Sequence, residues 1–235
     1  MATTLRQGAR SGVLVAMVAM GGGCGLFEDA DKVTASSDWL AYGVDADAFG
    51  INVPEGGALP DVDCSSNAQV CEQLGQLSCS GAQYACHIDC GEDGACQVRG
   101  VAEDGELVDI SGKVSRDQLS KVTLKGVECE VTANTLNFAT PAIDLSVGPE
   151  AAADATSAGV VFLGRLDPIA PGITFPPREL PLEGAGVEAL SRLARESGGK
   201  LKIFARGEIV FPGGHELPAG KLDFRLRALF QVDVL

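Results

Sequence analysis

Six cysteines, Cys64, Cys71, Cys79, Cys86, Cys90 and Cys96, crowd the stretch "CSSNAQVCEQLGQLSCSGAQYACHIDCGEDGAC". Thiols at this density do one of two things. As thiolates they ligate a metal, and "CHIDC" would then add the His87 imidazole and the Asp89 carboxylate to Cys86 and Cys90. Oxidised, they bridge in pairs and staple a segment too small to bury a core of its own. The usual two-residue gap of paired zinc cysteines is absent, since three residues separate Cys86 from Cys90. "DADAFGIN" and "DCGEDG" lack the alternating oxygen ligands and distant glutamate of a calcium loop. They read as solvated turns. The choice between thiolate and disulfide depends on the compartment.

Catalytic spacing is sparse elsewhere. The chain has two histidines, His87 and His215, so imidazole catalysis has few candidates. "HELPAG" begins like a zinc-protease helix, but it lacks the second histidine and Pro218 would break the helix. "GHELPAGKL" has one residue too many between its glycines for a phosphate loop, and Leu222 stands where a hydroxyl should meet magnesium. No G-x-S-x-G elbow occurs. The sequence points to no catalytic residue, no metal site and no cofactor.

The start of the chain decides the compartment. In "MATTLRQGARSGVLVAMVAMGGGCG", Arg6 and Arg10 precede an apolar run from Val13 to Met20, and no acid occurs before Glu28. A charged start, a short apolar run and small residues after it describe a secretory signal peptide. The run is too short to span a bilayer, which takes roughly 20 apolar residues. Gly21, Gly22, Gly23 and Cys24 close it. This stretch resembles the lipobox of bacterial lipoproteins, although Gly21 stands where that family prefers an aliphatic residue. The resemblance covers residues 1 to about 25. It implies a diacylglycerol on the Cys24 thiol, a cut just before Cys24, and a lasting membrane anchor. Gly25 follows where an aspartate would retain such a protein at the inner membrane, so the outer membrane is expected. The alternative is an ordinary secretory cut, with Cys24 in a disulfide.

In an exported, oxidising setting the six cysteines read as three disulfides, with the pairing left open. Lipidation of Cys24 leaves Cys129 over. In "VECEV", alternation puts Val127, Cys129 and Val131 on one face of a strand. A buried free thiol is expected there, and a bridge back to the cysteine-rich region is the alternative.

The precursor's net charge is −14, and losing Arg6 and Arg10 with the signal peptide makes the mature chain more negative still. Such a surface repels nucleic acid, which is bound by lysine and arginine. It repels anionic lipid headgroups too, so attachment rests on the acyl chains. The charge is uneven: 17 acids face two bases from Cys24 to Ile110, against 15 acids and 14 bases from Ser111 to Leu235. The shift coincides with the end of the cysteine cluster and suggests two regions.

These residues need elements to position them. The mature chain falls into a lipidated tether and lead-in (24–60), a cysteine-rich acidic region (61–106) and a β domain (107–235), after a signal peptide (1–23). Residues 25–38 read as a flexible tether. In "KLDFRLRALFQVDVL", Leu222, Phe224, Leu226, Ala228, Phe230, Val232 and Val234 share one face, a half-buried strand. "KLKIFARGEIVF" alternates likewise, and "PGGHELPAG" between them has the turn residues of a long hairpin. "SKVTLKGVECEV" changes phase at Gly126, as a bulge would. "ELVDIS", "AIDLSVG" and "GVVFLGRL" read as shorter strands, and the proline-rich "PIAPGITFPPRELP" as loop or edge. "GVEALSRLARESGG" reads as a helix with Val187, Leu190, Leu193 and Ala194 on its apolar stripe. The fold class expected is mainly β, an antiparallel sandwich, Ig-like or similar, with one short helix, preceded by a small disulfide-rich region. The function expected is that of a lipid-anchored envelope protein acting as a non-enzymatic binding, adhesion or structural module. Its partners are the membrane, through Cys24, and another envelope protein. A carrier of an apolar ligand in the sandwich is the alternative, and an enzyme a more distant one.

Overall fold

The computed structural model describes residues 32–52, 58–72, 78–79 and 84–233. Cys24 and the lipobox lie outside these residues. Lys32–Leu235 form one compact unit. Its strands are β1 (Lys32–Ser36), β2 (Leu40–Asp45), β3 (Ile51–Asn52), β4 (Ser78–Cys79), β5 (Ala85–Cys90), β6 (Cys96–Asp109), β7 (Val122–Asn134), β8 (Ile143–Gly148), β9 (Val161–Leu166), β10 (Phe175–Glu179), β11 (Lys200–Pro212) and β12 (Lys221–Asp233). The helices are α1 (Gln69–Glu72), α2 (Arg116–Leu119) and α3 (Gly184–Glu196), and a 3-10 turn covers Ala46–Phe49.

Two antiparallel sheets enclose one core. In the first, β12 pairs with β7, which pairs with β10. The other edge of β12 is covered by β2 along Lys221–Leu226 and by β1 along Leu229–Asp233. Ser37 carries the ladder across the break: its N–H donates to the Ala228 carbonyl at 2.9 Å, and its hydroxyl accepts from the Ala228 N–H at 3.0 Å. The second sheet runs β5-β6-β11-β8-β9. The alternation in β12 acts as read: Leu222, Phe224, Leu226, Ala228, Phe230 and Val232 are buried against Leu145, Leu201 and Ile203 of the second sheet's strands in a single cluster. The register of β7 against β12 shifts between Leu229 and Phe230, opposite Gly126.

Three expectations change. Residues 32–36, read as tether, form β1, because their partner strand β12 offers an open edge. The boundary expected between 106 and 107 falls inside β6, whose whole length pairs with β11. Gly100 on that strand makes room for Phe49, since a Cβ there would collide with its ring. Leu40, Tyr42, Val44 and Phe49 belong to the same core as the C-terminal strands. The segment "PGGHELPAG" is not a hairpin turn, because β11 and β12 lie in different sheets.

The helix α3 shields the exposed edge of β7. Ser191 accepts the Leu124 N–H at 2.9 Å, and Arg195, one turn on, donates to the Val122 carbonyl at 3.0 Å. An uncovered strand edge is a template for unwanted pairing, so these polar side chains sit on the helix face turned to the sheet. Gly186 lets the helix approach Leu163, where a Cβ would meet backbone at 2.5 Å.

Candidate functional site

The connections β2–β3, β5–β6, β7–β8 and β11–β12 gather at one end of the sandwich with the segment around α1. Asp45 starts this end by accepting the Asp47 N–H at 3.1 Å, which caps the 3-10 turn and drives Phe49 into the core. From Phe49 a chain of rings runs outward. Tyr84 lies 5.0 Å away on one side, Phe211 5.8 Å on the other, and Phe138 5.2 Å beyond Phe211.

Three disulfides tie this end: Cys64–Cys90, Cys71–Cys96 and Cys79–Cys86. The first two cross in sequence and in space, and the sulfurs of Cys64, Cys71 and Cys90 lie within 4.8 Å of one another. Among the described residues these sulfurs are the group close enough together to hold a metal, but each is already bonded to another sulfur. The four groups of "CHIDC" are divided by the strand. Cys86 and Cys90 stand opposite Gly100 and Cys96, on the face turned to the core. His87 and Asp89 stand opposite Arg99 and Gln97 on the outer face. Period-two alternation thus prevents the four from meeting one ion.

On the outer face a chain of polar side chains forms instead. His87 Nε2 is 3.6 Å from Asp89 Oδ2, which is 2.9 Å from Arg99 Nε, and Arg99 Nη1 donates to Glu208 Oε1 at 3.0 Å. Asp89 Oδ1 and Gln97 Nε2, on directly opposed residues, are buried without hydrogen-bond partners.

Two grooves flank the bridges. One, of about 450 Å³, runs between 64–68 and 90–94, with Asp93 and Glu92 on its wall. Beside it the Asp63 carboxylate accepts the Ser65 hydroxyl and N–H at 2.5 and 2.9 Å. These hydrogen bonds, the hydroxyl's first, hold its pKa below the ordinary aspartate value. The other groove, of about 390 Å³, is lined by Phe138, Phe211, Pro212, His215 and Pro218 among others. His215 lies there, apart from the His87 chain. Among the described residues, neither imidazole has a side-chain hydrogen bond to a nucleophile.

No family model, curated protein or solved structure matches the chain.

The space between the sheets beside Tyr42, Ala102, Ala205 and Phe224 amounts to about 20 Å³, room for a water. Tyr42 crosses it, stacks on Phe224 at 5.4 Å and donates its hydroxyl to the Ile203 carbonyl at 2.9 Å. Burial, then the charges of Glu106 and Asp104, push its pKa far up. Cys129 is a free, fully buried thiol on the same face as Val127 and Val131, and burial pushes its pKa up to about 12. That protonated, enclosed group is unsuited to nucleophilic work.

On the outer face of the first sheet, Arg225 and Arg227 stand opposite Glu130 and Glu128, each pair at 2.5 Å. Trp39 lies against both guanidinium groups, at 4.6 and 4.5 Å from its ring centroid. The outward residues of β12 and β7 were legible from alternation. Their junction with Trp39 was not, because β2 joins this edge from far away in sequence.

Proposed function

We propose that the protein is a bacterial envelope lipoprotein, anchored through diacylglycerol on Cys24, on the outer rather than the inner membrane. It acts without catalysis, as a binding, adhesion or structural module. The disulfide-tied end is the part presented to a partner in the envelope. One observation carries this reading: the three bridges gather at one end of the sandwich beside two grooves, and Cys64, Cys71 and Cys96 form a small buried cluster of their own apart from the main core. Covalent ties at that position add rigidity to a surface, and a pre-organised surface binds at lower entropic cost. Ligand cavities for small molecules usually measure about 300–1,000 Å³, and the space of about 20 Å³ beside Tyr42 falls far short of that.

The test is membrane fractionation with intact-mass analysis of the envelope protein. The expected product begins at Cys24, carries acyl chains and has three intact bridges. Cys24→Ser should release the chain from membranes or leave it unprocessed. A Cys24→Ser chain that stays membrane-bound and normally cut would refute the anchor.

A further inference from the structure

The described chain begins at Lys32, whose partner in β12 is Asp233, and Val232 of β12 pairs with Val122 of β7. The disulfides and both grooves lie at the other end, beyond Lys221 and Pro212. The strand β12 has 13 residues, a length of about 43 Å at ~3.3 Å per residue. From Cys24 to Lys32 the chain takes eight residue steps, which reach at most about 29 Å when fully extended. A chain held at Cys24 therefore cannot stand on its disulfide end, for Lys32 would then have to be about 43 Å above the membrane. The covalent limit brings the Lys32 end close to the lipid, or at most lets the sandwich lie on its side.

This end differs in charge from the disulfide end. A groove of about 430 Å³ opens between α3 and β7, lined by Thr123, Val187, Glu188, Ser191, Arg192 and Arg195. Lys125 lies nearby on β7, and Lys200 opens β11 next to the last turn of α3. Arg192 and Lys125 are exposed and have no ion pair among the described residues. Acids are present too: Glu188 in the groove, with Asp109, Asp117, Glu196 and Asp233 at the same end of the sandwich. Bases and acids are near balance here, whereas Asp61, Asp63, Glu92 and Asp93 dominate the far end. Charges are screened over about 8 Å at physiological salt. The far acids, several screening lengths away, do not decide how this end meets a charged surface.

We propose that the α3–β7 end is a membrane-docking surface, with Arg192, Arg195, Lys125 and Lys200 set against the phosphates of anionic phospholipids. The proposal rests on the anchor at Cys24 and fixes the orientation that anchor imposes. The acidic, disulfide-tied end then points away from the bilayer. A base close to an anionic leaflet is worth roughly a fivefold change in partitioning, enough to hold the orientation of a molecule already tethered.

The acylated full-length chain is placed in phosphatidylcholine vesicles, with or without phosphatidylglycerol. Arginines are modified with phenylglyoxal and located by peptide mass analysis. Arg192 should react several-fold more slowly when phosphatidylglycerol is present and recover in molar salt, while Arg99 reacts equally in both. Equal modification of Arg192 in the two vesicle types would overturn the proposal. In the Arg192→Glu, Lys125→Glu chain, acetylation of Lys200 should become independent of phosphatidylglycerol although the protein stays vesicle-bound, and persistent protection would again overturn it. The unacylated Cys24→Ser chain separates the two ideas. If the anchor reading is wrong, it partitions into cell membranes as the parent does. Docking then stands only if this chain sediments with phosphatidylglycerol vesicles and loses most of that binding with the double substitution.

Discussion

At the disulfide end, the connections carry serine, glycine, asparagine and acids; Phe49, Leu59 and Leu136 reach the core, but no side chain of residues 61–68 or 91–95 does. They are held by Cys64–Cys90, Cys71–Cys96 and Cys79–Cys86. At the opposite end, the β6–β7 connection is held by apolar packing. Ile110, Val114 and Leu119 enter the main cluster, α2 opens with a Ser115–Gln118 capping box, and Ser191 and Arg195 of α3 satisfy the edge of β7. The difference shows where covalent bonds are needed. A loop that buries apolar area is fixed by the same term that fixes the core. A polar loop must be tied, and constraining the unfolded chain is how a bridge does that.

The largest effect should come from cutting across this division. A fragment of residues 105–235 keeps the long C-terminal strands but loses β1, β2, β5 and most of β6. It should show no cooperative urea transition, because β11 and β12 each lose a neighbour and the core loses Tyr42, Phe49 and Val98. A sharp transition from that fragment would mean that the two regions are independent after all.

Within the whole chain, Phe230→Ala should cost about 3–5 kcal/mol in urea unfolding, as removal of a fully buried aromatic does, since Phe230 has no exposed surface. A loss below 1 kcal/mol would show that this part of the sandwich is not tightly packed. Replacing Cys64 and Cys90 together by alanine should cost about 2–4 kcal/mol and leave a folded protein. The Cys79–Cys86 pair spans 7 residues against 26 for Cys64–Cys90, so its removal should cost about 1 kcal/mol less on loop-closure grounds. Equal losses would point to strain or denatured-state structure instead of chain entropy.

The smallest effect should be a pH dependence seated in Cys129. Its thiol titrates at 9.0 ordinarily and is pushed up to about 12 in the fold. Above pH 9 the unfolded chain releases a proton that the folded chain keeps. The contribution is therefore whole below pH 9 and is lost as pH rises towards 12. Urea midpoints of the parent should fall more steeply between pH 8 and pH 10 than those of Cys129→Ala. Parallel slopes would place the thiol in contact with water.

Alternation made much of the sandwich legible. Leu222 to Val232 on β12, Leu201 to Phe211 on β11, and Val127, Cys129 and Val131 on β7 all face inward as their period requires. The helix was legible from its stripe and its terminal glycines, but Ser191 and Arg195 were not. A polar residue on a helix face gives no sign, in sequence, that a strand edge awaits it. The N-terminal strands were missed because "KVTAS" has little pattern of its own, and its structure is imposed by the open side of β12. The boundary at 107 was misplaced since charge and cysteine content change there, while the β6 hydrogen-bond ladder does not.

The sequence by itself determined the class of fold, the inward faces of the long strands, the oxidised state expected of the clustered cysteines and the enclosure of Cys129. These follow from local periodicity and composition, which act over a few residues. Only the tertiary structure decided which cysteines pair, that His87 and Asp89 stand away from Cys86 and Cys90 in company with Arg99, and that Trp39 meets Arg225 and Arg227. It also decided that the disulfide end and Lys32 lie at opposite ends of the strands. Each of these depends on residues distant in sequence being brought together by sheet register, and register is set by how the whole core packs, not by any stretch read alone.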